Sequence, residues 1–267
     1  MRVIIGGLLG VWDTIRSVFL WCVGMVWLLL GTSGLLLLGR FLSHERFDWA
    51  TRAYCRWQIR LTGARWSAHI DPAILDDQQY FFMQNHVNLL DHASTYNATP
   101  QFKQGVNLAA HFRIPMYGWW MKDRGTIPVW RGRGKAGIAD LQARMADEVA
   151  RGNSLIVFPE GTRTLDGRVG KFRKGVFLMA RDLGVAVVPV TVTGMYEIMK
   201  KGSWKFRFGG RVTVWCDAPV EMAGLTDDQV LEKLTAQNRA NKTITKDRKS
   251  EWLGELRLYA RQKGKSK

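Results

Sequence analysis

Cysteine is scarce in this 267-residue chain: Cys22, Cys55 and Cys216 are odd in number and far apart. They match neither a disulfide framework nor a spaced zinc site, and their scarcity fits a reducing compartment. Acidic residues are few as well. Asp and Glu total 23 against 39 Lys and Arg, a formal charge of +16. Such an excess suggests an anionic partner, whether nucleic acid, an acidic lipid surface or an acidic carrier protein. No internal repeat is present.

Charge is missing entirely from residues 17–39, SVFLWCVGMVWLLLGTSGLLLLG, which lie between Arg16 and Arg40. Such a stretch is long enough to cross a bilayer core of about 30 Å. A cleaved signal peptide fits poorly, because Thr32-Ser33-Gly34 runs on into more leucines. Gly24, Gly31 and Gly34 would allow a bend. Arg40, Arg46, Arg52, Arg56, Arg60 and Arg65 follow, against only Glu45 and Asp48. By the positive-inside rule that side is cytoplasmic, and the twelve tryptophans suit a membrane interface.

Four segments are expected: a membrane anchor over 1–40, a basic amphipathic interfacial helix within 41–65, a catalytic domain over 66–220 and a basic, helical C-terminal segment over 221–267. Within the third, strand patterns fall at 79–84, 126–130, 154–158, 185–193 and 205–215. Helical patterns fit 115–122, 135–150 and 173–183. Alternation of the two predicts an α/β fold: a mixed, largely parallel sheet flanked by helices, with an N-terminal hydrophobic membrane helix. KFRFGGRVTVWCDAP, 205–219, reads as a hairpin turning at Gly209-Gly210. Pro189, inside the β-branched run VAVVPVTVTG, predicts a bulge or an edge-like site.

The chemistry gathers at two strand ends. QNHVNLLDHAS, 84–94, follows the apolar run YFFM and sets His86 five positions before Asp91. A helix would hold the two about 140° apart. A strand-to-turn junction can instead fold the carboxylate onto the imidazole, as a base and its orienter. In LIVFPEGTRTLDGRVGKFRKG, 155–175, a buried strand runs into a tight Glu160-Gly161-Thr162-Arg163 turn, where α/β folds bind ligands. Gly161 would admit close backbone approach, and Arg163 offers a fork suited to phosphate. A third stretch, RGTIPVWRGRGKAG, delivers Arg131 and Arg133 into a glycine-rich turn. His44, His69 and His92 fit no metal-ligand spacing, and no metal site is expected. His111 is read as structural.

In order, NHVNLLD, IPMYGWWMKDRGTIPVWR, FPEGTR and VVPV resemble the four-block signature of the glycerolipid acyltransferases, the lysophosphatidate acyltransferase family. The resemblance covers about residues 80–195. It implies that His86 is a general base toward a lysolipid hydroxyl and that Asp91 orients it. It also implies that Asn85, Arg131, Glu160, Gly161, Thr162 and Arg163 serve substrate binding. No nucleophilic Ser or Cys and no bound cofactor would be needed. The donor would be acyl-CoA or an acylated acyl carrier protein, and the partners the bilayer and a lysolipid acceptor. Two departures stand out. Asn88 replaces a usual Ser, and LAAHFR precedes Ile114-Pro115 where the family commonly carries Lys-x-Glu-Leu. The acceptor is therefore either lysophosphatidate or another lysolipid, such as an aminoacyl lipid. Arg113 and Lys122 are the candidates to replace the lost lysine. A membrane-bound nucleic-acid-binding protein is the rival class, but no nucleic-acid motif is present and no nucleic-acid partner is expected.

Overall fold

Short apolar runs without alternation need cover on both faces, and parallel strands provide that. A computed structural model describes residues 2–226, 228 and 229. It contains α1 (Arg2–Gly39), α2 (Asp48–Leu61), β1 (Arg65–Ile70), β2 (Phe81–Gln84), α3 (Asp91–Tyr96) and β3 (Lys103–Leu108). A 3-10 helix (Ala109–Arg113) leads to α4 (Tyr117–Asp123), β4 (Ile127–Val129), α5 (Gly134–Ala150) and β5 (Ser154–Val157). Then come α6 (Lys174–Asp182), β6 (Val187–Thr193), α7 (Met195–Ile198) and β7 (Arg211–Cys216). The strands form one sheet in the order β1-β7-β6-β2-β5-β3-β4. Every neighbouring pair is parallel except β6 with β7. This is the mixed, largely parallel α/β architecture expected from the sequence. The charged C-terminal segment expected from 221 lies, beyond residue 229, outside the described residues.

Side chains alternate across β2. Phe82 enters a core with α1 to α4, while Phe81 and Met83 enter a second core with α5 and α6. Each such buried ring contributes about 1.5–3 kcal/mol. β6, expected to be interrupted at Pro189, lies inside the sheet between β2 and β7. Its ladder to β7 starts at Val190–Cys216, and an isolated bridge joins Val187 to Val220. Residues 188 and 189 thus face 217–219, two against three, which is a bulge. Proline, lacking an N–H, fits the break, and its carbonyl accepts from Asp217 N at 3.0 Å.

The expected hairpin at Gly209-Gly210 does not form. Both glycines have positive φ, 86° and 105°, so the chain does turn there. The arm before the turn bonds elsewhere, however: Phe206 N to Ser17 Oγ at 2.9 Å, Arg207 N to Ile198 O at 2.8 Å and Gly209 N to Thr62 O at 2.8 Å. With its donors committed to α1, α7 and Thr62 just past α2, that arm has no strand partner among the described residues, and β7 pairs with β1 and β6 instead.

One helix among the described residues, Val11–Gly39 within α1, is long and apolar enough to cross a membrane. It runs unbroken through its glycines. From Ser17 to Leu35 one face packs on the body. Trp21 Nε1 donates to Trp204 O at 2.8 Å, and Trp27 stacks on Tyr54 with centroids 5.9 Å apart. Tyr54 also occupies the space a side chain at Gly31 would need. The opposite face, with Val18, Phe19, Val26 and Leu30, is exposed. In α2, Trp57, Arg56 and Arg60 face outward. Arg52, counted with that basic face, turns inward and donates to the carbonyls of Tyr96, Thr99, Pro100 and Gln101.

Candidate active site

Parallel strands bring β2, β5 and β6 to one edge with their carboxyl ends together. Asn85, just past β2, exchanges two bonds with β6: its Oδ1 accepts from Val192 N at 2.7 Å, and its Nδ2 donates to Val192 O at 3.1 Å. Asn88 is fully buried and donates to Met195 O at 2.7 Å and Met199 O at 3.0 Å. These two amides fix the turn between β2 and α3.

Asp91 opens α3 and is fully buried. Its Oδ2 accepts from His86 Nδ1 at 2.9 Å, Val87 N at 2.6 Å and Asn88 N at 2.8 Å. A carboxylate only accepts, so His86 carries its hydrogen on Nδ1 and presents the Nε2 lone pair outward. The ring rests on Phe158, 4.1 Å between centroids, and its side chain keeps 23% of its surface exposed. Among the described residues Nε2 has no partner.

The β5 turn is built onto the same histidine. Glu160 accepts from His86 N through Oε1 and from Gly170 N through Oε2, both at 2.7 Å. Thr164 N donates to His86 O at 2.9 Å. Gly161 has φ +65°, a left-handed conformation that favours glycine. Lys201 Nζ caps the turn, donating to Thr162 Oγ1 at 2.8 Å and Arg163 O at 3.0 Å. The guanidinium of Arg163, half-buried, and that of Arg131, exposed after β4, make no ion pair among the described residues. Both act on His111, whose pKa is lowered first by burial and then by these two positive charges. Asn107 Oδ1, 2.7 Å from His111 Nδ1, fixes that ring.

The structure therefore joins His86, Asp91 and Glu160 by direct bonds and sets Arg163 on the same turn. Asn85, Glu160 and Thr162 direct their polar atoms to the protein itself. Sequence reading did not find Phe158, Lys201 or the Gly170 amide as parts of the site. Phe158 and Gly170 lie in the 155–175 stretch, but their contacts with His86 and Glu160 depend on how it folds, while Lys201 acts from 38 residues beyond Arg163. The remaining histidines are accounted for: His44 Nε2 lies 2.9 Å from Asp123 O, His69 stacks on Trp215, and burial lowers the His92 pKa to about 4.

Burial raises the Glu160 pKa to about 7, although its two N–H donors pull it down. The unfolded value lies lower, so between about pH 4.5 and 7 the unfolded chain loses this proton first. Stability contributed by the neutral carboxyl is present at the acid end and falls as pH rises across that window. A Glu160→Gln variant should lack this slope. Thermal melts of both proteins from pH 4 to 8 measure it, and parallel curves would contradict it.

A sheet of this order, bearing a His–Asp pair at one strand end and a Glu-Gly-Thr-Arg turn at the next, is that of an acyltransferase. The Acyltransferase family profile matches residues 60–193, and the chain belongs to that family. It is similar to the chloroplastic 1-acyl-sn-glycerol-3-phosphate acyltransferase of Arabidopsis thaliana, with 35% identity over 144 residues, 54% of this chain and 40% of that protein. A Pseudomonas aeruginosa lyso-ornithine lipid O-acyltransferase shares 34% over 79 residues, 30% of each chain. The matched region spans less than half the length of these curated relatives. The fold matches the crystal structure of the 1-acyl-sn-glycerophosphate acyltransferase PlsC from Thermotoga maritima. There the TM-score is 0.68 at 20% identity, over 88% of this chain and 98% of that one.

Proposed function

We propose that the protein is a membrane-bound acyltransferase that moves a fatty acyl group from an acyl thioester to the free hydroxyl of lysophosphatidate, giving phosphatidate. The observation that carries this is the His86–Asp91 pair with Nε2 free and turned outward. Nε2 takes the hydroxyl proton as the oxygen attacks the thioester carbonyl, forming a C–O bond. Collapse of the tetrahedral intermediate breaks the C–S bond, and the imidazolium returns its proton to the leaving thiolate. Asp91 holds the tautomer and stabilises the transient charge. Acyl-CoA or an acylated carrier protein supplies the thioester, and no bound cofactor enters. Arg163 and Arg131 hold the anionic headgroup. The apolar face of α1 lies in the cytoplasmic membrane, with the catalytic domain on the cytoplasmic side. Incubating purified protein with radiolabelled acyl thioester and a panel of lysolipids tests the reading. Absence of transfer to every member would sink it.

A second acceptor, a lyso-aminoacyl lipid, is favoured by LAAHFR in place of Lys-x-Glu-Leu and by the similarity to the lyso-ornithine enzyme. Arg163→Lys separates the two. Lysine cannot reproduce a bidentate contact to phosphate, so the KM for lysophosphatidate should rise about tenfold. An acceptor without phosphate should respond far less. Equal kinetics for wild type and variant with lysophosphatidate would make Arg163 an ordinary surface charge.

A further inference from the structure

A hollow of about 700 Å³ lies beside β4, the end strand of the sheet. Its walls are the 3-10 helix, the end of α4, β4 and α5. Arg113, Lys122, Arg144 and Arg151 line it, against Asp147 and Glu148. Two of the four cations are engaged: Arg151 with Glu148 at 2.6 Å and Arg144 with Asp140 at 3.1 Å. Glu148 also accepts from Asn153 Nδ2 at 2.8 Å. Arg113 and Lys122 make no ion pair among the described residues, and only Asp147 opposes them. Ala109, Ala110, Phe112, Ile127, Pro128 and Trp130 also form the wall, so the lining offers cations for a phosphate beside apolar surface for the arm that carries it.

We infer that this hollow receives the phosphate-bearing pantetheine arm of the acyl donor, with Arg113 and Lys122 as its anion contacts. The inference rests on the acyl-transfer reading above. Distance decides between donor and acceptor. β4 stands three strand positions from β2, an offset of about 14 Å from the strand that ends at His86. In lysophosphatidate only two carbons separate the phosphoester oxygen from the reacting hydroxyl. Its phosphate cannot lie in the hollow while its hydroxyl reaches Nε2. In a phosphopantetheine arm, the phosphate and the thioester sulfur are separated by about as many bonds as four extended residues, about 14 Å. Arg113 and Lys122 therefore do not replace the missing acceptor lysine. They serve the other substrate.

Both side chains are exposed, so substitution leaves the core intact. Two-substrate kinetics with the full chain tests the assignment, using Arg113→Gln, Lys122→Gln and the pair together. The donor KM should rise about tenfold or more in the double variant, with acyl-CoA and with acyl carrier protein alike, because charged hydrogen bonds are lost. The acceptor KM should stay within twofold. With acyl-pantetheine, which lacks the phosphate, the wild type itself should show a raised KM, and the double substitution should add less than twofold. A rise in acceptor KM instead, an unchanged donor KM, or a rise confined to acyl carrier protein would each overturn the inference. Calorimetry with 4′-phosphopantetheine reads the site without turnover, and so separates its failure from failure of the acyl-transfer reading. Wild type should bind it, the double variant about tenfold more weakly, and pantetheine should bind to neither.

Discussion

Replacing His86 by alanine should lower kcat for acyl transfer by about 10²–10⁴-fold while leaving the acceptor KM nearly unchanged. Nε2 is the atom of this site that is both free and turned outward, so its loss removes proton transfer without removing a headgroup contact. The backbone bonds of His86 to Glu160 and Thr164 do not depend on the ring, so the turn should persist. Single-turnover rates with saturating thioester, beside a circular dichroism melt, make the comparison. Near-normal turnover in a folded His86→Ala protein would rule out the general-base mechanism.

Asp91→Asn should approach the same loss, up to about 10⁴-fold in kcat, by favouring the wrong imidazole tautomer. Its structural effect should be larger. One carboxylate oxygen serves three donors in a fully buried position. A neutral amide loses the charge behind these bonds, worth about 1.5–3 kcal/mol each, and must either set its NH2 against the three donors or leave it buried at the partnerless Oδ1 position. The melting temperature should therefore fall by several degrees, at about 2–4 °C per kcal/mol for a chain of this size. An Asp91→Asn enzyme within tenfold of wild-type kcat would show that the carboxylate neither sets the tautomer nor matters to the chemistry.

The central strands were legible because two-sided burial leaves continuous apolar runs: FFMQ, SLIV and VVPVTVT are buried almost throughout. β1, RWSAHI, stands at the sheet edge, half exposed and paired only with β7, and its polar pattern hides it. β3, KQGVNL, carries little strand signal, with a lysine at its head and only two apolar side chains. Lys103 is nonetheless buried, its Nζ donating to Thr99 O at 2.8 Å and Gln101 O at 3.0 Å beside the rings of Phe82 and Tyr96. Tertiary partners of that kind leave no local trace. The site divides in the same way. Spacing at a strand end was enough to pair His86 with Asp91. The task of Glu160 was hidden, since one of its donors lies 74 positions away and the other ten.

α1 is fastened to the body near both ends of its packed face. Ser17 and Trp21 hold the 204–206 segment, and His44, just beyond the helix, meets Asp123 O at 2.9 Å. In the membrane seating proposed above, with the apolar face of α1 in lipid, the helix would act as a fixed stand. The height of His86 above that bilayer would then be set by the fold, since α1 is bonded directly to the domain. The lysolipid acceptor proposed above would have to lift its hydroxyl to that height to be acylated. Changes in bilayer thickness or headgroup packing should therefore act on the rate through the substrate's vertical position while the enzyme keeps its own.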